Sequence, residues 1–121
     1  MSAERLVEDA LRDILEAAGT AIEFVSDVPD GDLAADKKTE FAVIRALEIV
    51  GEAARRVPDS FRKKHPDIPW PEMAGMRDKL IHDYFGVDLG VVLKTVNEDL
   101  PPLVTAIQEL LGGDPDGRPD S

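Results

Sequence analysis

The chain has 121 residues, a formal net charge of -11 and no cysteine. Its length suits one domain with a modest core, and the lack of cysteine excludes disulfide frameworks and thiolate metal sites. Without a signal peptide or an apolar run of spanning length, a soluble cytoplasmic protein is expected. The acidic composition argues against broad, non-specific adhesion to nucleic acid, because such affinity comes mainly from phosphate neutralisation.

A long amphipathic helix is predicted from Ser2 to Asp27. Its apolar residues recur at the three- and four-residue spacing of a helix, at Leu6, Val7, Ala10, Leu11, Ile14, Leu15, Ala18, Ala21, Ile22 and Val25. Turn-forming residues at 28–31 end the pattern. A helix with such a stripe is by default one half of a helical hairpin.

The second helix is expected to begin at a cap formed by Asp36 or Thr39. Its apolar stripe consists of Val43, Leu47, Val50, Ala54 and Val57, and Phe41 and Ile44 are expected to widen it. Gly51 costs stability inside a helix, so close approach of a neighbouring helix is the simplest explanation for it. No chemistry is indicated in this helix.

A proline-rich, basic connection follows, over residues 58–71, and is expected to form a short helix or turn and then a loop. Between Arg55 and His82 there are seven basic and four acidic residues, so the acidic chain has a basic middle. Each lysine here could simply be a solvated surface charge. The functional interpretation is local attraction of a polyanion, with Arg62, Lys63, Lys64 and Lys79 as candidate RNA-binding residues.

The next helix, with Pro71 suited to its first position, carries the candidate chemistry. Its apolar face includes Met73, Met76 and Leu80, and Arg77 lies on the same line. An arginine there requires an anion, either from the protein or from a ligand. Asp78 and His82 form an i,i+4 pair on the flank of this face, so the helix carries a fixed cation, a titratable imidazole and a carboxylate able to orient it.

A last helix is predicted after Asp88, with a kink or restart at residues 101–102, where two prolines adjoin. It ends at residues 112–113, and the Asp-, Pro- and Gly-rich residues 113–121 are expected to form a disordered tail. The predicted fold is therefore all-α, an antiparallel bundle of four to five helices, with residues 1–112 as its one domain.

Several chemistries are poorly supported by the residues present. Two histidines without a zinc-binding pair give no metal site, and neither a Walker loop nor a dinucleotide fingerprint occurs. Metal-free phosphoryl chemistry on RNA remains, with the substrate's 2′-hydroxyl as nucleophile, His82 transferring protons and Arg77 stabilising the phosphorane. A symmetric dimer would bring two copies of this pair into one cleft.

Non-catalytic roles remain as alternatives for the same residues. Asp78 and His82 could be an ordinary surface helix pair. Arg77 could be satisfied by an internal carboxylate such as Glu52. A contact of His65 with phosphate is conceivable beside the lysines, but a loop histidine is more often merely solvated.

At these residues the chain resembles the HEPN domain proteins, and within them the HepT-like toxins of toxin–antitoxin pairs. The similarity rests on Arg77, four intervening residues, His82, one residue and Tyr84. It extends to the segments 51–53, 68–70, 75–76, 87–88 and 100–101. The residue after the arginine, often asparagine in this family, is Asp78 here.

The resemblance implies a homodimeric helical bundle with a metal-independent endoribonuclease site formed by Arg77 and His82, and no cofactor. It also implies a partner, a minimal nucleotidyltransferase antitoxin that adenylylates the motif tyrosine, here Tyr84. Asp78 would keep a polar orienting role. The alternative from another functional class is a non-catalytic subunit that binds a substrate or nucleotide for a nucleotidyltransferase, with Arg77 as an anion anchor.

Overall fold

The structure, a computed structural model, describes residues 3–28, 33–82 and 89–112, with the backbone alone for Ala3 and for 77–82. These parts of the chain form helices and turns without a strand. The α-helices are α1 (Ala3–Ser26), α2 (Lys37–Arg56), α3 (Asp59–Lys64), α4 (Trp70–His82), α5 (Leu89–Lys94) and α6 (Leu100–Leu110). The all-α bundle predicted from the sequence is confirmed.

Helices α1 and α2 form the antiparallel hairpin around which the other helices pack. Residues at helical spacing in α1 are buried, Ala10, Ile14, Ala18 and Ala21 completely so. A guanidinium nitrogen of Arg56, at the end of α2, lies 2.6 Å from a carboxylate oxygen of Asp13 in α1. Helix α4 packs against α2, and α6 packs against α1. The result is a four-helix arrangement in which the short α3 turns the chain from α2 into α4.

The apolar stripe of α2 forms much of the core, as its periodicity predicts. Val43, Leu47, Val50, Ala54 and Val57 are each at most 1% exposed, and Gly51 is buried among them. The expectation for Phe41 is wrong, because this side chain is 66% exposed. Phe41 precedes Val43 by two residues, which on a helix is about 200° of rotation and so the opposite face.

The last helical segment passes through a π-helical turn. Between α5 and α6, residues Thr95–Asp99 form this turn, and the Leu100 N–H donates to the Thr95 carbonyl five residues earlier. Pro101 and Pro102 follow in the first turn of α6. A proline ring clashes with the carbonyl four residues before it in a regular α-helix, and the wider π turn relieves this crowding. The irregularity predicted at the two prolines therefore takes the form of a π turn.

Asp36 caps the start of α2. It is one of the two residues predicted for this role. Its carboxylate accepts hydrogen bonds from the Thr39 hydroxyl at 2.8 Å and from the Thr39 backbone N–H at 3.1 Å. The hydroxyl bond, followed by the backbone bond, lowers the pKa of Asp36 from its ordinary value of 3.8. Because the folded-state pKa is depressed, the cap stabilises the protein above the ordinary pKa, and this stabilisation is lost as pH falls through the folded value.

Replacing the cap, Asp36→Ala, is expected to lower the urea midpoint of unfolding at pH 7, because the first turn of α2 loses an acceptor for its N–H groups. The difference in urea midpoint between wild type and variant should become smaller as the pH falls below 3.8. Circular dichroism melts in urea at several pH values measure it. Asp9→Ala, an exposed acid within α1, is the control and should show no such narrowing. A gap independent of pH would contradict the role given to the ionised carboxylate.

Among the described helices, none has both the length and the apolar character required to cross a membrane.

Candidate active site

Helix α4 carries the candidate residues, and its first turn is anchored firmly. Trp70 is 3% exposed, and its indole N–H donates to the His65 carbonyl at 3.0 Å. The centroid of the Phe61 ring lies 4.6 Å from that of the His65 ring. It lies 6.3 Å from that of the Trp70 ring, which it meets edge-on. The preceding Ile68 is also buried. These contacts fix where α4 begins, one residue before the Pro71 start that the sequence predicts.

One side of α4 continues into the core along the predicted stripe. Met73 is 2% exposed, and Met76 is half-buried against the core cluster. The helix runs to His82. Position 77 follows Met73 by four residues and Trp70 by seven, so helical register puts it on the same side of α4 as those buried residues. Positions 77 and 82 are separated by about 7.5 Å along the axis and about 140° around it.

The side chains of the predicted catalytic residues lie outside the described part of the chain. For Arg77, Asp78, Lys79 and His82 the structure describes the helical backbone only, and Tyr84 falls in the segment 83–88 that is not described. Their roles as catalytic, orienting, RNA-binding and modified residues therefore stay predictions. The first four residues lie on one helix, α4.

Arg62, a predicted RNA-binding residue, has a structural position in the fold. Its Nε donates to the Val57 carbonyl at 2.9 Å, and a terminal nitrogen donates to the Ala54 carbonyl at 2.8 Å. The last carbonyls of a helix lack partners within it, and Arg62 supplies a cationic donor at the negative end of the α2 dipole. This cap joins α3 to the end of α2. The sequence contains a signal for it, a basic residue one turn after a helix-ending proline, Pro58.

Lys63 and Lys64 present the other candidate charges for RNA. Both are exposed at the end of α3. Lys64 also lines a groove of about 520 Å³ formed with the start of α1 and the end of α6. Two mobile cations on one short helix can neutralise phosphate charge without being committed to the fold. Their position leaves the predicted RNA-binding role open to test.

Glu52, the carboxylate considered as an internal partner for Arg77, is engaged by Arg45. A guanidinium nitrogen of Arg45 lies 3.1 Å from the Glu52 carboxylate and 3.3 Å from that of Glu48. The hydrogen bond from Arg45 to Glu48, followed by the charge of Glu52, raises the pKa of Arg45. Arg45 is exposed and the two carboxylates are partly exposed, and ion pairs at such positions stabilise little. Glu52 thus has a cationic partner, Arg45, within its own helix.

The described residues contain no group of three or more histidine, cysteine or carboxylate side chains arranged to hold a metal ion. The sequence gives the same expectation for the whole chain, since it has no cysteine and two histidines. Neither observation assigns a reaction.

Known proteins are similar to this chain over most of its helical region. The profile of a family described as ribonuclease HepT-like matches residues 14–110, a range that includes positions 77–84. No solved structure matches the chain significantly.

Three relatives illustrate the similarity. "Probable ribonuclease HepT" of Thermococcus cleftensis is 53% identical over 107 residues, covering 88% of this chain and 97% of the relative. A "Putative RNase" of Methanocaldococcus jannaschii is 45% identical over 105 residues, covering 87% and 96% respectively. A longer protein of the same organism, named as a gamma-glutamylcyclotransferase and putative RNase, is 43% identical over 101 residues, which are 84% of this chain and 46% of that protein.

Proposed function

Because the chain belongs to the HepT-like ribonuclease family and is thereby a ribonuclease, we propose that it cleaves RNA internally and without a metal, using Arg77 and His82. The observation that carries the proposal is the family match over residues 14–110, which spans the arginine–histidine–tyrosine motif. Helix α4 runs to His82, so both residues lie on one helix, and this supports the proposal.

The chemistry follows from what an arginine and a histidine can do beside a phosphodiester. The 2′-hydroxyl of the substrate attacks the adjacent phosphorus, the new 2′-oxygen–phosphorus bond forms, and the bond to the 5′-oxygen breaks. His82 transfers the protons between the attacking and leaving oxygens. Arg77 stabilises the negative charge that develops on the phosphorane. Asp78, four residues before His82, orients the imidazole.

A single histidine is a limited supply of acid and base, and a homodimer would relieve this limit. Two copies of α4 facing each other would bring two arginines and two histidines to one cleft. One imidazole could then accept a proton from the 2′-hydroxyl while the other donates one to the leaving oxygen. Lys63, Lys64 and Lys79 would draw the RNA backbone toward this cleft.

The family resemblance also supports a regulated toxin in the cytoplasm. A minimal nucleotidyltransferase would act as antitoxin by transferring an adenylyl group to the hydroxyl of Tyr84. Tyr84 follows His82 by two residues, so the added phosphate would bring negative charge to the site that must bind RNA phosphate. Electrostatic repulsion and bulk would both oppose substrate binding.

Incubating the purified chain with mixed cellular RNA in excess chelator tests the proposed function. We expect internal cleavage without added metal, and the same preparation treated with ATP and the nucleotidyltransferase should lose it. Gel electrophoresis of the RNA and the mass of the Tyr84 peptide are the readouts. Absence of cleavage by a folded protein would contradict the nuclease and favour a non-catalytic, nucleotide- or substrate-binding subunit, for which the net charge of -11 is the supporting observation.

A further inference from the structure

A groove of about 370 Å³ lies between α4 on one side and the π turn and α6 on the other. The α4 side supplies Met73 and Met76, and the other side supplies Leu100 and Leu103. Met73, Leu100 and Leu103 are already buried in the core, whereas Met76 is only half-buried. The floor is therefore apolar and continuous with the core, and it includes a thioether side chain able to adapt to an occupant.

Three carboxylates surround this floor. Glu72 lies in the first turn of α4, and Glu98 and Asp99 belong to the π turn. All three are exposed, and within the described part of the chain none has an ion-pair partner. Carboxylates elsewhere in the fold are often matched to a cation, as Asp13 is to Arg56. The groove rim thus has three carboxylates that pair with no cation among the described side chains, around an apolar floor.

From this combination we infer that the groove docks a basic, amphipathic segment of a partner protein. Lysine and arginine side chains suit it, because their aliphatic stems can cover the methionine floor while their charged ends meet the carboxylates. An apolar residue between two such cations would contact Met76. Nucleic acid does not fit, since its phosphates would be repelled by all three carboxylates. A second copy of this chain, with net charge -11, matches the three carboxylates less well than a basic segment does.

The location of the groove gives this docking a consequence. Met76 directly precedes Arg77 in α4, so a partner held against Met76 lies beside the helix that carries the proposed catalytic pair. Docking does not require RNA cleavage, so a protein without nuclease activity would still bind the basic segment.

Binding of a fluorescein-labelled helical peptide of leucine and lysine, with the lysines one turn apart, tests the inference by fluorescence anisotropy. Neutralising the rim with Glu72→Gln, Glu98→Gln and Asp99→Asn should weaken binding about tenfold, since each of three exposed ion pairs contributes about twofold. Met76→Gln, which makes the floor polar at similar length, should also weaken it.

A matched triple variant, Asp9→Asn, Glu23→Gln and Glu109→Gln, removes the same charge from exposed positions outside the groove and should bind as wild type does. Equal weakening by both triple variants would reduce the effect to net charge and overturn the inference, as would absence of saturable binding to the wild type. Size-exclusion chromatography adds one further outcome. Loss of a dimer in the groove variant alone would make the occupant a second copy and overturn the assignment to a basic partner.

Discussion

Replacing His82 with alanine is expected to reduce cleavage of RNA in chelator by at least about a hundredfold, because a positioned general acid–base group contributes about 10²–10⁴ to a proton-transfer rate. The variant should remain folded, with the far-UV circular dichroism of the wild type. Cleavage is measured on one defined RNA at several protein concentrations. A folded His82→Ala protein that cleaves at the wild-type rate would remove the histidine from the mechanism.

The chain offers a matched control for this measurement, since it contains two histidines. His65→Ala makes the same chemical change at the end of α3, where the ring packs against Phe61 and the backbone carbonyl accepts the Trp70 hydrogen bond. The substitution removes the ring and keeps the carbonyl. We expect near-wild-type cleavage, and a parallel loss in both variants would indicate a shared structural defect instead of lost proton transfer.

The second large effect is expected from Trp70→Ala, which should destabilise the fold by about 3–5 kcal/mol. The indole is 3% exposed at the start of α4, and its removal leaves a cavity beside Phe61 and takes away one of the two hydrogen bonds that the His65 carbonyl accepts. Urea unfolding followed by circular dichroism measures it, because Trp70 is the only tryptophan and its fluorescence is lost. A cost below about 1 kcal/mol would show that α4 is anchored elsewhere.

Trp70→Phe separates the two contributions of this side chain. It keeps an aromatic ring in the core and removes the indole N–H that donates to His65. The expected cost is smaller, about 0.5–1.5 kcal/mol for one lost hydrogen bond plus some lost volume, because the His65 carbonyl still accepts from the Ile68 N–H. If Trp70→Phe were as damaging as Trp70→Ala, the hydrogen bond would outweigh the packing.

The long helices could be predicted from the sequence because hydrophobic periodicity is a local property. The stripes of α1 and α2 specify both the helices and their buried faces, and Asp36 is recognisable as a cap three residues before Thr39. Phe41 shows the limit of this argument. Its side chain is apolar, but its angular position two residues from Val43 puts it on the solvent side of α2.

The tertiary contacts of the polar residues could not be predicted in the same way. Arg62 was expected among the RNA-binding residues because it stands beside two lysines, yet its guanidinium donates to carbonyls of Ala54 and Val57. Which donor meets the end of a helix depends on how α3 folds back, and a linear pattern does not encode that. The candidate pair Arg77 and His82 is proposed because five-residue spacing and the surrounding motif are visible in the sequence. A cleft shared between two chains is not visible there.

The position of Arg62 affects how charge-removal experiments on this ribonuclease must be interpreted. Neutralising Arg62 removes a cationic donor to the Val57 carbonyl and leaves the Ala54 carbonyl to the Val57 N–H, so the variant is expected to be less stable than the wild type. An apparent loss of RNA affinity would then reflect the concentration of native protein as well as phosphate contact. Lys63 and Lys64 have no such bonds to the α2 end and are exposed, which makes them the variants whose salt dependence reports on RNA alone.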